Sequence, residues 1–336
     1  MLSAFITGLA GVDLAPAEAD FLRRARPCGA ILFARNASNP EQLRRLTAAV
    51  MDAVGEEILI LIDQEGGRVQ RLKPPHWHAL PAAAAYDRAF ADNPDKAEAA
   101  ARAAARLVAA ELRSVGINTN CAPLLDVPLP DCHGVIGDRA YAAAPQRVAA
   151  LGAAVAEGLM AGGVLPVMKH LPGHGRAKAD SHYALPVVTA TRQELEAADF
   201  VPFRALRGLP AAMTAHVVFT AYDAHVPASI SKRVTDEAIR RAIGFDGLLM
   251  SDDLAMKALS GSVAERAAAV LAAGSDVVLA CNGGLAESEA VASVAPALQG
   301  ASLARYERAR AVLKRQHPFE AAEAEACVAE VLRAVA

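Results

Sequence analysis

Eight short apolar segments, each followed by a longer helix-favouring segment, constrain the fold of this 336-residue chain more than any other feature. Most of these segments are apolar throughout rather than alternating, which is typical of parallel strands covered on both faces. We predict strands at Ala4–Gly8, Gly29–Phe33, Ile58–Asp63, Asn118–Pro123, Val164–His170, Ala211–His216, Gly247–Asp252 and Asp276–Ala280. Eight strands alternating with helices favour an α/β fold, a closed parallel (β/α)8 barrel of the TIM type.

Helix signals fill the intervals between these strands. Asn39 followed by Pro40 predicts a cap and a first-turn proline before a helix over Glu41–Val54. Thr191 and Ser262 each precede a glutamate by three residues, which is capping-box spacing. A doubly wound sheet is the structural alternative, but no glycine-rich nucleotide fingerprint follows the first strand. We therefore expect one barrel domain over residues 1–336, with terminal helices from about residue 301.

Composition argues against several classes of function. The net charge is −3 and only 4% of residues are aromatic, so we expect no nucleic-acid partner. No apolar run is long enough to cross a bilayer, and the N-terminus lacks the basic region of a signal peptide. The five cysteines are scattered and odd in number, which fits a reducing compartment. We expect a cytoplasmic protein without a membrane partner, with a monomer as the default state.

In a barrel of this kind, active residues lie at the carboxyl ends of strands and in the loops that follow them. The third predicted strand ends in Asp63, and Glu65, Arg68 and Arg71 come directly after it. This segment is either a solvated loop with internal ion pairs or a polyol site. In a polyol site Asp63 would accept from two sugar hydroxyls and Arg71 would donate. Arg139, after the fourth strand, is a further candidate ligand.

The loop after the fifth predicted strand contains three of the nine histidines of the chain. It runs from Lys169 to His182 and includes His170, His174 and Asp180. Three histidines and an aspartate on one loop favour a functional site over structural histidines. The glycines and the proline of the 172–175 segment indicate either special backbone geometry or a loop that moves.

Two adjacent aspartates, Asp252 and Asp253, close the seventh predicted strand. In extended geometry their side chains point in opposite directions, so one can face the barrel mouth while the other supports the loop. A helix cap would explain one of them but less easily both. His216, at the end of the sixth strand, fits a ligand contact or a hydrogen-bonded histidine at the barrel rim equally well.

At these positions the sequence resembles glycoside hydrolase family 3, in particular its bacterial single-domain β-N-acetylglucosaminidases of peptidoglycan recycling. The resemblance extends from about residue 4 to residue 300. Cys121 and Leu171 depart from it, because phenylalanine is common at both positions. The matching runs are Ile62–Arg71, Asn120–Val127, Lys169–Gly175, Asp180–His182 and Ser251–Met256.

The resemblance implies a role for each matched position. Asp252 corresponds to the catalytic nucleophile, His182 to the acid/base and Asp180 to its dyad partner. The positions that hold the terminal sugar correspond to Asp63, Arg71, Arg139, Lys169 and His170. The implied reaction is retaining hydrolysis through a covalent glycosyl-enzyme. It would remove terminal N-acetylglucosamine from peptidoglycan fragments, GlcNAc-1,6-anhydro-MurNAc-peptides. Many relatives take a carboxylic acid from a second domain, so we expect this chain to use His182.

Several alternatives stay open at this point. A histidine acid/base does not repel phosphate, so the same fold could act as a β-N-acetylglucosaminide phosphorylase. A β-glucosidase is a second variant of the same fold, and a substrate acetamido group could replace Asp252 as nucleophile. A sugar-binding barrel without catalysis is a fourth alternative. The histidine loop lacks HExxH or similar ligand spacing, so we expect no metal and no cofactor.

Overall fold

The computed structural model describes residues 1–130, 134–181, 183–281, 284–315 and 317–336, and within them eight parallel strands close into a barrel. The strands follow one another around the barrel in chain order, and the first pairs with the eighth. Helices surround the barrel, which confirms the predicted (β/α)8 fold. The strands are Ser3–Gly8, Pro27–Leu32, Leu59–Ile62, Thr119–Asn120, Leu165–Leu171, Ala211–Thr214, Leu248–Asp253 and Val277–Ala280.

The fourth strand is much shorter than predicted, because asparagine side chains replace part of its backbone ladder. The Asn118 side chain accepts from the Ile60 amide at 2.7 Å and donates to the Ile58 carbonyl at 2.9 Å. Asn120 pairs with the Gln64 amide and carbonyl in the same way, at 3.0 Å each. Pro123 has no N–H to donate. The strand direction continues to Leu124, which forms an isolated bridge with Lys169.

The predicted helix starts agree with the structure. Asn39 accepts from the Gln42 amide at 2.9 Å at the start of Pro40–Val54, and Thr191 and Ser262 both form capping boxes. The longer α-helices are Pro16–Ala25, Pro40–Val54, Pro94–Ser114, Pro145–Ala161, Val263–Ala272, Leu285–Ala292, Gly300–Arg310 and Ala321–Val335. Shorter α-helices are Ala83–Ala89, Arg192–Glu194 and Phe200–Ala205, and π-helical segments are Leu195–Asp199 and Val234–Ile243. The 3-10 turns are Ala34–Asn36, Gly137–Arg139, Ala228–Ile230 and Ala311–Lys314.

Two small strand pairs, which the sequence patterns did not predict, lie outside the barrel ladder. Gln64–Gly66 pairs antiparallel with Val69–Gln70, and Val187–Val188 pairs parallel with Val218–Phe219. The Gln64 side chain accepts from the amides of Arg71 and Leu72 at 2.9 and 3.0 Å. The segment after the third strand therefore folds back on itself, which brings Arg71 close to Asp63.

The terminal helices are packed against the barrel. Tyr306 of the Gly300–Arg310 helix is fully buried, and its hydroxyl donates to the Cys28 carbonyl of the second strand at 2.7 Å. Ala321–Val335 contacts the Pro94–Ser114 helix. Among the described residues, no helix combines the length and the apolar character that a bilayer crossing requires.

Candidate active site

A pocket of about 360 Å³ opens at the carboxyl ends of the barrel strands, where the sequence predicted the chemistry. Seven of the eight predicted site residues line it, and His182 lies outside the described residues. The seven are Asp63, Arg71, Arg139, Lys169, His170, Asp180 and Asp252. The structure therefore brings together the ends of the third, fifth and seventh strands, together with Arg139.

Buried ion pairs form the floor of this pocket. Lys169 Nζ lies 2.9 Å from Asp63 Oδ1 and 2.6 Å from Glu65 Oε1. Arg71 Nη2 lies 3.1 Å from the other Asp63 oxygen. Arg139 makes two parallel 2.9 Å hydrogen bonds to Glu65, the planar bidentate geometry that guanidinium and carboxylate favour. The internal ion pairs considered for this segment are present, but they line a pocket instead of a solvated loop, and the polyol site stays a prediction.

The electrostatics of this network favour the fully charged state. Burial raises the pKa of Asp63, but Lys169 and Arg71 outweigh it and hold that pKa well below its usual range. For Glu65 burial also raises the pKa, whereas Lys169 and Arg139 lower it below the ordinary value. Burial lowers the pKa of Lys169, and the two carboxylates raise it above its usual range. We did not predict Glu65 as a site residue, although its place two residues after Asp63 was a usable signal.

Asp126, which the sequence analysis did not single out, positions two of the loop histidines. Its carboxylate is fully buried, and it accepts from His170 Nδ1 at 2.7 Å and from the His174 amide at 2.6 Å. Burial raises the pKa of Asp126, but His170 and His174 outweigh it and lower the pKa below its ordinary value. An ionised Asp126 fixes the proton on His170 Nδ1. The other ring nitrogen, Nε2, is then the His170 atom that can reach a ligand.

The first part of the histidine loop is packed rather than open. Residues 172–175 are buried, and a Cβ on Gly175 would lie 1.8 Å from the Val127 carbonyl oxygen. Arg176 Nε donates to the buried carboxylate of Asp199 at 2.7 Å. The φ of +139° at Gly173 agrees with the special backbone geometry considered for this segment. The exposed part of the loop begins only at Lys178.

The two aspartates of the seventh strand have different surroundings. Asp253 Oδ1 accepts from the Ala255 and Cys281 amides at 3.1 and 3.0 Å, so this carboxylate supports the loops. Asp252 Oδ1 accepts from the Asp253 amide at 2.8 Å. Burial raises the pKa of Asp252, but His170 and His216, together with that amide and Lys169, hold it below its ordinary value. Asp252 is therefore an ionised carboxylate at the pocket wall.

His216 has partners for both ring nitrogens. Nε2 donates to the Asp253 carbonyl at 3.0 Å, and Nδ1 accepts from the Ser229 hydroxyl at 2.7 Å. Burial is the main cause of its lowered pKa, which favours the neutral ring that this pattern requires. Of the two roles considered for His216, the hydrogen-bonded histidine fits these contacts.

Metal ligation has no support in the part of the chain that the structure describes. There, no group of three or more histidine, cysteine, aspartate or glutamate side chains is placed to hold an ion. The described cationic groups of the pocket floor instead use the carboxylates as ion-pair partners.

Comparison with known proteins assigns this architecture to a family. The sequence model of the glycosyl hydrolase family 3 N terminal domain matches residues 7–314. A beta-hexosaminidase of Pseudomonas aeruginosa strain LESB58 is 40% identical over 285 residues, which are 84% of this chain and 83% of that protein. A beta-hexosaminidase of Alkalilimnicola ehrlichii is 41% identical over 290 residues, 84% of this chain and 81% of that protein.

A solved structure resembles the whole barrel. NagZ from Neisseria gonorrhoeae, in complex with N-trifluoroacetyl-D-glucosamine, superposes with a TM-score of 0.87. The two sequences are 34% identical, and the match covers 98% of each chain.

Replacing Glu65 with glutamine should destabilise the fold strongly, because Arg139 and Lys169 would then be buried without that negative partner. We expect the Glu65→Gln variant to lose roughly 3–5 kcal/mol of unfolding free energy in urea titrations. Glu41→Gln is the matched control, because Glu41 pairs with Arg45 on an exposed helix face and should cost less than about 1 kcal/mol. Equal losses in the two variants would contradict a structural role for the buried network.

Acid should weaken the fold through the same carboxylates. Asp63, Glu65 and Asp126 have folded-state pKa values below their unfolded values of about 3.9 for Asp and 4.3 for Glu. Their contribution to stability is present above the unfolded pKa values and is lost as the pH falls through the folded ones. We expect the free energy of unfolding to decrease from about pH 5 to about pH 3, and to decrease less steeply in Glu65→Gln. Identical slopes would argue against Glu65 as one of the titrating groups.

Proposed function

The chain belongs to glycosyl hydrolase family 3 and is a glycosidase, and from this premise we propose that it is a retaining exo-β-N-acetylglucosaminidase. The observation that supports the proposal most directly is the pocket in which the ionised Asp252 faces a floor of paired charges. Two relatives are named beta-hexosaminidase, and the NagZ structure contains an N-acylated glucosamine analogue. We propose a single catalytic domain whose pocket receives one terminal sugar.

Asp252 is the proposed nucleophile. Its carboxylate is ionised and held by the Asp253 amide, so one oxygen can attack the anomeric carbon to form the glycosyl-enzyme. Asp253 is less suited to this step, because its Oδ1 accepts from two backbone amides. This difference in surroundings supports Asp252 independently of the resemblance.

The floor of the pocket is proposed to hold the terminal sugar. Lys169 and Arg71 each use one oxygen of Asp63, which leaves lone pairs on both oxygens for sugar hydroxyls. Arg139 and Lys169 are fixed by Glu65, so their remaining N–H groups are aimed before the sugar arrives. His170 adds Nε2, since Asp126 holds Nδ1. Fixed donors and acceptors of this kind position the anomeric carbon for attack.

The acid/base step is assigned to His182 with Asp180 as its partner. His182 lies outside the described residues, and the assignment depends on the family resemblance and on Asp180, which lines the pocket. Histidine has an unperturbed pKa of about 6.5, so it can donate a proton and take it back near neutral pH.

We propose a cytoplasmic muropeptide, with N-acetylglucosamine β-linked to an anhydro-muramyl peptide, as the natural substrate.

A panel of 4-nitrophenyl β-glycosides that differ only at C2 tests the sugar assignment. We expect kcat/KM for the N-acetylglucosaminide to exceed that for the glucoside by at least about 100-fold, because an acetamido site penalises a sugar that lacks its partner group. The reaction should proceed without phosphate and release the free sugar. A preference for the glucoside would refute the substrate class, and a phosphate requirement with sugar-1-phosphate as product would refute hydrolysis.

Trapping the intermediate tests the nucleophile. A 5-fluoro N-acetylglucosaminyl fluoride should label Asp252 covalently, as seen by peptide mass mapping, because the ring fluorine slows both displacements whereas the anomeric fluoride leaving group speeds only the first. Asp252→Ala should lose activity by several orders of magnitude with an unchanged melting curve. Asp253→Asn is the neighbouring control, and it should still be labelled at Asp252. An enzyme that turns over but is never labelled would instead favour attack by the substrate acetamido group.

A further inference from the structure

Next to Asp180 in the chain, the buried hydroxyl of Ser181 lies close to the His174 ring. The Asp180 carbonyl accepts from the Tyr183 and Ala184 amides at 3.0 Å each, which holds these two residues close to Asp180. Ser181 is only 3% exposed, whereas Tyr183 is 75% exposed. The Ser181 hydroxyl lies 3.2 Å from His174 Nε2.

His174 is itself firmly placed. Its backbone amide donates to the buried Asp126 carboxylate, and its ring packs edge-on against His170 with 5.8 Å between the ring centres. Burial lowers the pKa of His174, so the ring is neutral near pH 7 and can share one hydrogen bond with a hydroxyl. The other ring nitrogen, Nδ1, has no hydrogen-bond partner among the described residues. Among the described residues, Ser181 is therefore the only hydrogen-bond partner of the His174 ring.

We propose that His174 is a positioning residue that holds Ser181 in place through this hydrogen bond and thereby sets the reach of the proposed acid/base dyad. The inference rests on the proposed function, because it assumes that the acid/base dyad is Asp180 and His182, the two neighbours of Ser181. It connects the sugar floor to proton transfer, since Asp126 holds both His170 and His174.

The physical reason is the short range of proton transfer. A general acid must come within hydrogen-bond distance of the leaving oxygen, about 2.6–3.2 Å between heavy atoms. A shift of about 1 Å at a catalytic group can cost about 100-fold in rate. Because Ser181 lies between the two assigned dyad residues, releasing its hydroxyl from His174 displaces both of them together.

Ser181→Ala is the most conservative test, because it removes a single oxygen atom. We expect its kcat/KM for the phenyl N-acetylglucosaminide, a poor leaving group, to fall roughly 10- to 100-fold. For the 2,4-dinitrophenyl glycoside the fall should be only about 2-fold, since that leaving group departs without protonation. A structural role alone would lower both values equally, and that result would overturn the proposal.

Two further sets of variants sharpen the test. Ser229→Ala removes a similar buried hydroxyl from His216, and it should show no dependence on the leaving group. His174→Leu should reproduce the selective loss of Ser181→Ala, and the double variant should lose no more than either single one. His174→Gln keeps an amide that can reach Ser181, so it should recover most of the loss on the phenyl glycoside. Simple addition of the two single losses would contradict the hydrogen bond as their common cause.

His182→Ala separates this inference from the proposed function. If His182→Ala shows no leaving-group dependence, the dyad assignment and the inference both fail. If His182→Ala shows a strong dependence and Ser181→Ala behaves like Ser229→Ala, only the inference fails. The Ser181→Ala and His182→Ala variants should give circular dichroism spectra and melting temperatures close to those of the parent chain. A loss of Ser181→Ala activity on the phenyl glycoside that accompanies a lowered melting temperature would also overturn the inference.

Discussion

The burial of Lys169 is the constraint on which the top of this barrel depends. An ammonium group that is nearly inaccessible to water is stable only if carboxylates approach it closely, and Asp63 and Glu65 do so from the segment after the third strand. The short fourth strand lies between the third and fifth strands, so the ion pairs connect the ends of two strands that are not neighbours in the barrel. Arg71 contacts the other oxygen of Asp63, and Arg139 forms hydrogen bonds to both oxygens of Glu65. One buried cation thus organises side chains from three segments of the chain.

A second buried charge, Asp126, has the same effect on the loop after the fifth strand. Its two oxygens hold the His170 ring and the His174 backbone, and Gly175 packs directly on the Val127 carbonyl. The loop therefore leaves the barrel along a fixed path before its exposed part begins. Together the two buried charges explain how a loop with two glycines and three histidines in its sequence can present defined groups to the pocket. Rigidity comes from buried carboxylates rather than from regular secondary structure.

Sequence patterns predicted the barrel well because they depend on local periodicity, and apolar runs and capping boxes are local. They failed at the fourth strand, where asparagine side chains take over hydrogen bonds that the pattern assigns to the backbone. They also missed Glu65 and Asp126 as organising groups. The importance of a carboxylate that never meets solvent arises from partners about 40 to 100 residues away, and single-sequence patterns do not contain that information. The pairing of His174 with Ser181 is hidden for the same reason, because it depends on how the loop turns.

The carboxylates that line the pocket differ in whether they are paired with a cationic side chain. Lys169, Arg71 and Arg139 are already paired with carboxylates, so a neutral sugar does not have to separate ions in order to bind. Asp252 differs from these carboxylates, because among the described residues it accepts a hydrogen bond from a backbone amide and forms no ion pair with a lysine or an arginine. A positive charge that develops at the anomeric carbon would therefore meet its strongest uncompensated attraction at Asp252. Formation of a bond to that oxygen would remove both charges at once in a largely buried site, where an electrostatic interaction is stronger than it would be in water. In the proposed mechanism the paired floor orients the sugar, and Asp252 responds to the charge that appears only during the reaction.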